Sequence, residues 1–269
     1  MKQIDSKDNP NFKEIVRIKQ LRTKEPHAEV FIEGARLCME AQLSGVDFTT
    51  VLVSRSRFDQ SDSVGFDASV EILILADHLF DRLCATRNPQ GIAAVVKSPV
   101  LYDLGDLAVR GQDKYLLCES IQDPGNLGGM IRSADAFGFS GVLFTRDTVD
   151  PFNEKVLRSS MGSVFHVPLV CIESIQEAID RLRLQGVTTY ATHLKGRNIP
   201  AQWRFQLPCA ILMGNEGQGV REETASRCDH LLRIPMPGKA ESLNVSNATA
   251  ILCYLASIPN EYFVNPNSI

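Results

Sequence analysis

The stretch Ile234-Pro-Met-Pro-Gly-Lys-Ala-Glu-Ser-Leu-Asn-Val-Ser-Asn-Ala-Thr-Ala-Ile-Leu-Cys-Tyr-Leu-Ala256 sets the reading of the whole chain. Leu231 to Pro235 reads as a buried strand end, and Met236 to Ser242 as a loop stiffened by Pro237. From Leu243 onward Val245, Ala248, Leu252 and Leu255 recur at helical spacing. Ser242 or Asn244 can cap that helix, because a short polar side chain reaches the unpaired amides of the first turn. A strand, a loop and a capped helix thus meet at Ser242-Leu243-Asn244. On spacing alone this is an ordinary strand–loop–helix corner.

Outward from that corner, strands and helices alternate. Toward the N-terminus lie strands at Tyr115 to Cys118, Gly141 to Phe144, Val164 to Val170, Val187 to Ala191 and Cys209 to Met213. Helices are expected at Leu127 to Phe137, Asn153 to Ser160, Ser174 to Leu184 and Arg221 to Arg227, with a polar loop from Ala191 through Arg204. Apolar strands between helices imply a mostly parallel sheet covered on both faces, with ligands beyond the strands' carboxyl ends. Residues 1–98 repeat the alternation on a smaller scale. Helices are expected at Asn11 to Leu21, at Glu33 to Leu43 with Leu37, Ala41 and Leu43 inward, and from Asp77 to Leu83. Strands are expected at Val30 to Ile32, Thr50 to Val53, Val70 to Leu75 and Gly91 to Val96. These make a small α/β/α domain, joined by a linker at 99–112 to a second α/β domain at 113–269.

Composition narrows the classes. The 269 residues are 44% hydrophobic, enough for a packed core. No apolar run approaches the ~18 residues that span a bilayer, and no signal-like core follows Met1. A cytoplasmic protein without membrane contact is expected. The seven cysteines are dispersed without a C-x-x-C pair, and the five histidines lie far apart, so neither a disulfide framework nor a metal site is expected. The net charge is −4, but Lys2 to Lys24 carries seven basic residues against three acidic ones. Such a run is usually a solvated helix face, and it can also meet phosphates. Arg17, Lys19 and Arg22 are the candidate phosphate contacts.

Three loops follow strand ends. In Gln122-Asp-Pro-Gly-Asn-Leu-Gly-Gly-Met-Ile-Arg132, Asn126 can cap a helix, Gly128 and Gly129 allow close backbone approach, and Arg132 sits in the second turn. The spacing is not G-x-G-x-x-G, and the chain has no phosphate-loop lysine, which counts against a conventional nucleotide-binding enzyme. Gly214-Asn-Glu-Gly-Gln-Gly219 can wrap an adenosine with backbone amides and carbonyls; read plainly, it is a generous turn. The third loop is the opening stretch. Each is ambiguous alone.

Their order resembles the three motifs of the SpoU (TrmH-like) branch of the SPOUT RNA methyltransferases. Asn126-Leu127-Gly128 through Arg132 is similar to the first, Leu212 through Gly217 with Gly219 to the second, and Ile234-Pro235-Met236 with Ser242 through Ser246 and Ala248 to the third. Gly129 and Ser133 stand where Ala and Thr are commoner in the family. Phe31-Ile-Glu-Gly34 and Pro89-Gln-Gly-Ile92 resemble the ribosomal-protein-like RNA-substrate-binding domain often fused to it.

The resemblance implies a deep C-terminal trefoil knot, a homodimer, and S-adenosylmethionine bound against Leu212, Met213, Gly214, Asn215, Gly217, Ile234, Met236 and Leu243. It implies catalytic roles for Arg132, Asn126, Glu216, Ser242 and Asn244 in methylating a ribose 2′-hydroxyl of structured RNA, with ribosomal RNA expected ahead of transfer RNA. A guanidinium with a pKa above about 12 is a poor base. Arg132 is therefore expected to hold phosphate and stabilise the developing alkoxide, with Glu216 orienting it. A silent RNA-binding assembly factor is the other class, and the full set of polar site residues counts against it. His193, Trp203 and Met161-Gly162 read as structural.

Overall fold

The computed structural model describes residues 1–20, 29–58, 70–98, 101–199 and 203–258. Among them two sheets form. The first is built from β1 (Lys2–Ile4), α1 (Pro10–Gln20), β2 (Glu29–Glu33), α2 (Ala35–Leu43), β3 (Phe48–Ser54), α3 (Arg55–Phe58), β4 (Glu71–Leu75), α4 (Asp77–Leu83) and β5 (Ile92–Lys97). Its order is β1-β4-β3-β5-β2, with β5 antiparallel to both β2 and β3. Alternation decides its two faces. Val30, Ile32, Val51 and Val53 pack with Leu37, Cys38 and Ala41 of α2. Phe31, Leu52, Leu73 and Val95 point the other way, onto α1 and α4.

The second sheet holds β6 (Leu101–Tyr102), β7 (Lys114–Cys118), β8 (Gly141–Thr145), β9 (Leu169–Ile172), β10 (Thr188–Asn198), β11 (Cys209–Met213) and β12 (His230–Arg233). Its order is β12-β10-β11-β7-β8-β9-β6, and every pairing is parallel. Crossover helices must then cover both faces. α5 (Pro124–Ala136), α6 (Glu154–Ser160) and α9 (Val245–Ser257) lie on one side, while α7 (Ile175–Leu184) and α8 (Glu222–Ala225) lie on the other. The core under α5, α6 and α9 is continuous with that under α2, so the two sheets share it.

Several elements differ from the sequence expectation. Leu43 is 76% exposed, because α2 ends there and only Leu37, Cys38 and Ala41 face the sheet. Residues 101–109 are more than a connection. Leu101 and Tyr102 pair with β9, and Leu104, Leu107 and Val109 pack on the α7 side. Val164 to Val170 is not one strand; a turn of 3₁₀ helix spans Ser163–Phe165, and β9 begins after Pro168. β10 runs far beyond Ala191, through the stretch read as a polar loop, because β12 pairs with it on both sides of an excursion at residues 193–196. α5 starts at Pro124, capped by Asp123, whose carboxylate accepts the Asn126 amide at 3.0 Å. Asn126 is therefore inside the first turn and is not the cap. By contrast Asn153, Ser174 and Asn244 cap α6, α7 and α9.

The α5–α6 contact is tight at Gly128. A Cβ there would lie 1.9 Å from Ser159 Oγ and 2.8 Å from the Val156 carbonyl oxygen. Gly128→Ala is expected to cost about 1–3 kcal/mol of stability by overpacking, read as a lower midpoint in denaturant unfolding. Adding Ser159→Ala should recover only part, because the Val156 carbonyl belongs to the backbone. Full recovery would locate the strain in the side chain alone.

Candidate active site

β7 ends in a buried acid. Glu119 is 1% exposed, and its carboxylate accepts the Arg221 amide at 3.1 Å and the Thr224 hydroxyl at 2.7 Å. It thereby anchors the chain that leaves the glycine loop. Next to it Ser120 adopts a left-handed backbone (φ 57°), uncommon for a side-chain-bearing residue. That conformation turns its carbonyl toward Asn215 Nδ2, which donates to it at 2.8 Å. Asn215 also accepts from the amides of Gly217 at 3.0 Å and Gln218 at 3.1 Å, and the Gly219 amide bonds the Asn215 carbonyl at 2.8 Å. Of the loop's amides, those of residues 217–219 are therefore taken up inside it. Gly214 is obligatory for the loop's shape, since a Cβ would sit 2.2 Å from the Gly219–Val220 backbone.

Glu216 joins the loops. Its carboxylate accepts from the amides of Asp123 at 2.9 Å and Gln122 at 3.1 Å, and from Asn126 Nδ2 at 3.1 Å. Asn126 Oδ1 in turn accepts Asn244 Nδ2 at 2.8 Å, and Asn244 Oδ1 accepts the amides of Ser246 at 2.9 Å and Asn247 at 3.3 Å. A carboxylate can only accept, so the direction of every amide along this line is fixed. Glu216 does not hold Arg132, as the sequence had suggested. Its oxygens are turned to the start of α5, where the helix's unpaired amides attract negative charge. Arg132 is exposed, and no described residue hydrogen-bonds or ion-pairs with it.

The cofactor candidates divide by burial. Leu212, Met213 and Gly214 are buried at the end of β11, whereas Gly217 and Leu243 are exposed and Ile234 and Met236 half-buried. Ser242 is exposed. Aliphatic side chains and neutral backbone fit an adenosyl group with a short aliphatic chain. Polyphosphate fits poorly, because residues 212–219 contain no Lys or Arg. Of the phosphate-contact candidates, Lys19 is committed inward. Its ammonium donates to the Leu83 carbonyl, pairs with Glu154 at 3.4 Å and lies 5.3 Å from the centre of the Phe31 ring. Arg17 is exposed and paired with Glu14, and Arg22 falls outside the described residues. His193 pairs with Glu222 at 3.2 Å, and Trp203 packs edge-on against Tyr190 and Phe205. Glu119 and Asp123 went unnoticed in the sequence. A charged residue closing an apolar run and an Asp before Pro at a helix start were the available signals.

Parallel α/β sheets bind ligands beyond their strand ends, where the three braced loops lie, and comparison with known proteins says of which class. The SpoU rRNA Methylase family matches residues 113–254, and the MRM3-like substrate binding domain matches residues 9–94. The 23S rRNA (guanosine(2553)-2′-O)-methyltransferase RlmP of Bacillus subtilis is 37% identical over 261 residues, covering 94% of this chain and 98% of that one. The 23S rRNA (guanosine-2′-O-)-methyltransferase RlmB of Xanthomonas campestris is 34% identical over 172 residues, covering 62% and 69%. The AdoMet-bound rRNA methyltransferase from Sinorhizobium meliloti aligns with a TM-score of 0.81 at 28% identity over 98% of both chains. This chain belongs to the SpoU rRNA methylase family.

Partial burial opposes charge on Glu216, but the Asp123 amide, the Asn126 side chain and the Gln122 amide outweigh it and hold the carboxyl below its ordinary range. A depressed folded-state pKa contributes stability that is present above the unfolded value and lost as pH falls through the folded one. Glu216→Gln should therefore lower the melting temperature at neutral pH, by about 1–2 kcal/mol of stability at this exposed position. The gap between variant and wild type should close as pH drops below the usual carboxylate range. A gap that persists in acid would exclude the charge as its cause.

Proposed function

We infer that this chain transfers a methyl group from S-adenosylmethionine to a ribose 2′-hydroxyl of ribosomal RNA. The observation that carries the reading is the Asn126 side chain, bonded at once to Glu216 and Asn244, which draws the three family motifs into one site. S-adenosylmethionine supplies an electrophilic methyl on a sulfonium when bound. The residues of this chain have three tasks: to align donor and acceptor, to stabilise the oxygen as it loses its proton, and to let the proton leave.

Exposed Gly217 and Leu243 and half-buried Ile234 and Met236 supply the walls for the cofactor, and Leu212, Met213, Gly214 and Asn215 hold those walls in place. Arg132 presents a permanent positive charge that no described side chain neutralises. It holds an RNA phosphate and the ribose oxygen. A group with a pKa above about 12 does not take the proton, which passes to solvent or phosphate. Asn126, Asn244 and Ser242 fix the geometry, while Glu216 positions Asn126 and the start of α5.

Residues 1–98 grip the RNA, with Arg17 on the exposed face of α1. The active enzyme is a homodimer acting in the cytoplasm. Exposed Ile251 and Tyr254 on α9, with Phe137 just past α5 edge-on to Tyr254, support an apolar contact there. The path of the last segment supports a trefoil knot: the chain leaves β11, crosses to β12 at the sheet edge, and returns as α9 against α5 and β11.

Methyl label from S-adenosylmethionine should enter 23S rRNA taken from cells that lack this protein, at one ribose 2′ position. Arg132→Ala should lower kcat by about 10²–10³-fold with cofactor binding unchanged. Arg132→Lys should stay impaired, because an ammonium cannot reproduce the planar fork. Cofactor binding without label in any RNA would refute the reading, and near-normal turnover in Arg132→Lys would refute the role of the guanidinium.

A further inference from the structure

A cavity of about 670 Å³ opens between the two sheets, beside the site but outside its machinery. That volume lies within the ~300–1,000 Å³ range of small-molecule pockets. One wall carries Ile18 and Phe31, within the region matching the substrate binding domain; the other carries Val149 and Phe152, within the region matching the methylase. Gln20 and Gln122 both line it and are exposed. Gln122 links the cavity to the site directly. Its backbone amide donates to Glu216, while its side chain donates to the Asp147 carbonyl at 2.7 Å.

The charges around the cavity select its occupant. Among the described lining residues, Lys19 and Arg146 stand with Asp147, Asp150 and Glu154, two cations against three carboxylates; Arg146 also pairs with Glu173 and Asp147 with Arg221. Lys19 is already paired with Glu154. A phosphodiester would meet net negative charge. A neutral group edged with donors and acceptors meets the exposed amides of Gln20 and Gln122, with half-buried Val149 beside them and Ile18, Phe31 and Phe152 buried behind. Hydrogen bonds to its edges are how proteins read an unstacked base. We propose that this cavity receives a nucleobase of the substrate RNA, near the methylated ribose, and thereby helps to select the nucleotide presented to the site. The proposal rests on the reading of the chain as an RNA ribose methyltransferase.

The test uses the full-length protein and ribosomal RNA from cells that lack it. Gln20→Trp, at the exposed end of α1, should fill the cavity. The KM for RNA should rise about tenfold, the loss of one or two hydrogen bonds to a base, while affinity for S-adenosylmethionine stays unchanged. A photo-crosslinking amino acid at position 20 should capture RNA within a few nucleotides of the methylated ribose. Wild-type RNA kinetics in Gln20→Trp, or crosslinks confined to distant nucleotides, would overturn the proposal. If Gln20→Trp also lost cofactor binding, the crosslink position would decide. Failure of the wild-type protein to methylate any RNA is a different result: it would overturn the function reading and this proposal with it.

Discussion

The carboxylate of Glu216 has no hydrogen to give, and the geometry of the site follows from that. Two backbone amides at the start of α5 point at it, which fixes where the helix begins. The Asn126 amide group must turn its nitrogen toward the acid, so its oxygen faces Asn244, whose own oxygen is left to cap α9. One acceptor thus orients two amides and joins two helix starts. Each bond is modest in water-exposed surroundings, and the value of the run lies in its single possible direction. Arg132, about two turns along α5, inherits its place from that anchoring while its charge stays unspent.

Behind this line the backbone is packed closely enough to leave few alternatives. Gly214 lies where any side chain would strike the returning loop, and Ser120 accepts a left-handed backbone to offer its carbonyl to Asn215. Strain at such a residue costs of order 1–3 kcal/mol, and here it is compensated by hydrogen bonds. The Ser120 amide bonds Thr145, and its hydroxyl bonds Asp147. Buried Glu119 secures the far end of the same loop through Arg221 and Thr224. Both ends of the glycine loop are tied to the two residues that follow β7.

The fold was legible wherever periodicity was strong. β11 runs over the five apolar residues expected, Cys209 to Met213, and Asn153 and Ser174 cap the helices that follow them. Reading failed where a local signal competed with tertiary pairing. The polar residues after Ala191 read as loop, yet β12 supplies a ladder that carries them as strand. Val164 to Val170 is apolar enough for a strand, but Pro168 cannot donate within it. At the site, the residue types were readable and their partners were not. Glu216 was matched to Arg132 by opposite charge, whereas the structure spends it on amides that sequence cannot point. Lys19 read as a surface cation, although its stem and charge close the seam against Phe31 and Glu154.

The contact between Asn126 and Asn244 spans 118 positions of the chain. Ribosomal synthesis delivers the N-terminal unit first, and domains fold as they emerge. α5 must therefore wait for α9 before its Asn126 finds an amide donor and before Ser246 closes over Gly129. A chain cut between β12 and Asn244 keeps the strands of both sheets but lacks the amide that Asn126 accepts, and has no completed site. The join between the two helix starts waits for α9, so a product interrupted before Asn244 lacks the line of amides that begins at Glu216.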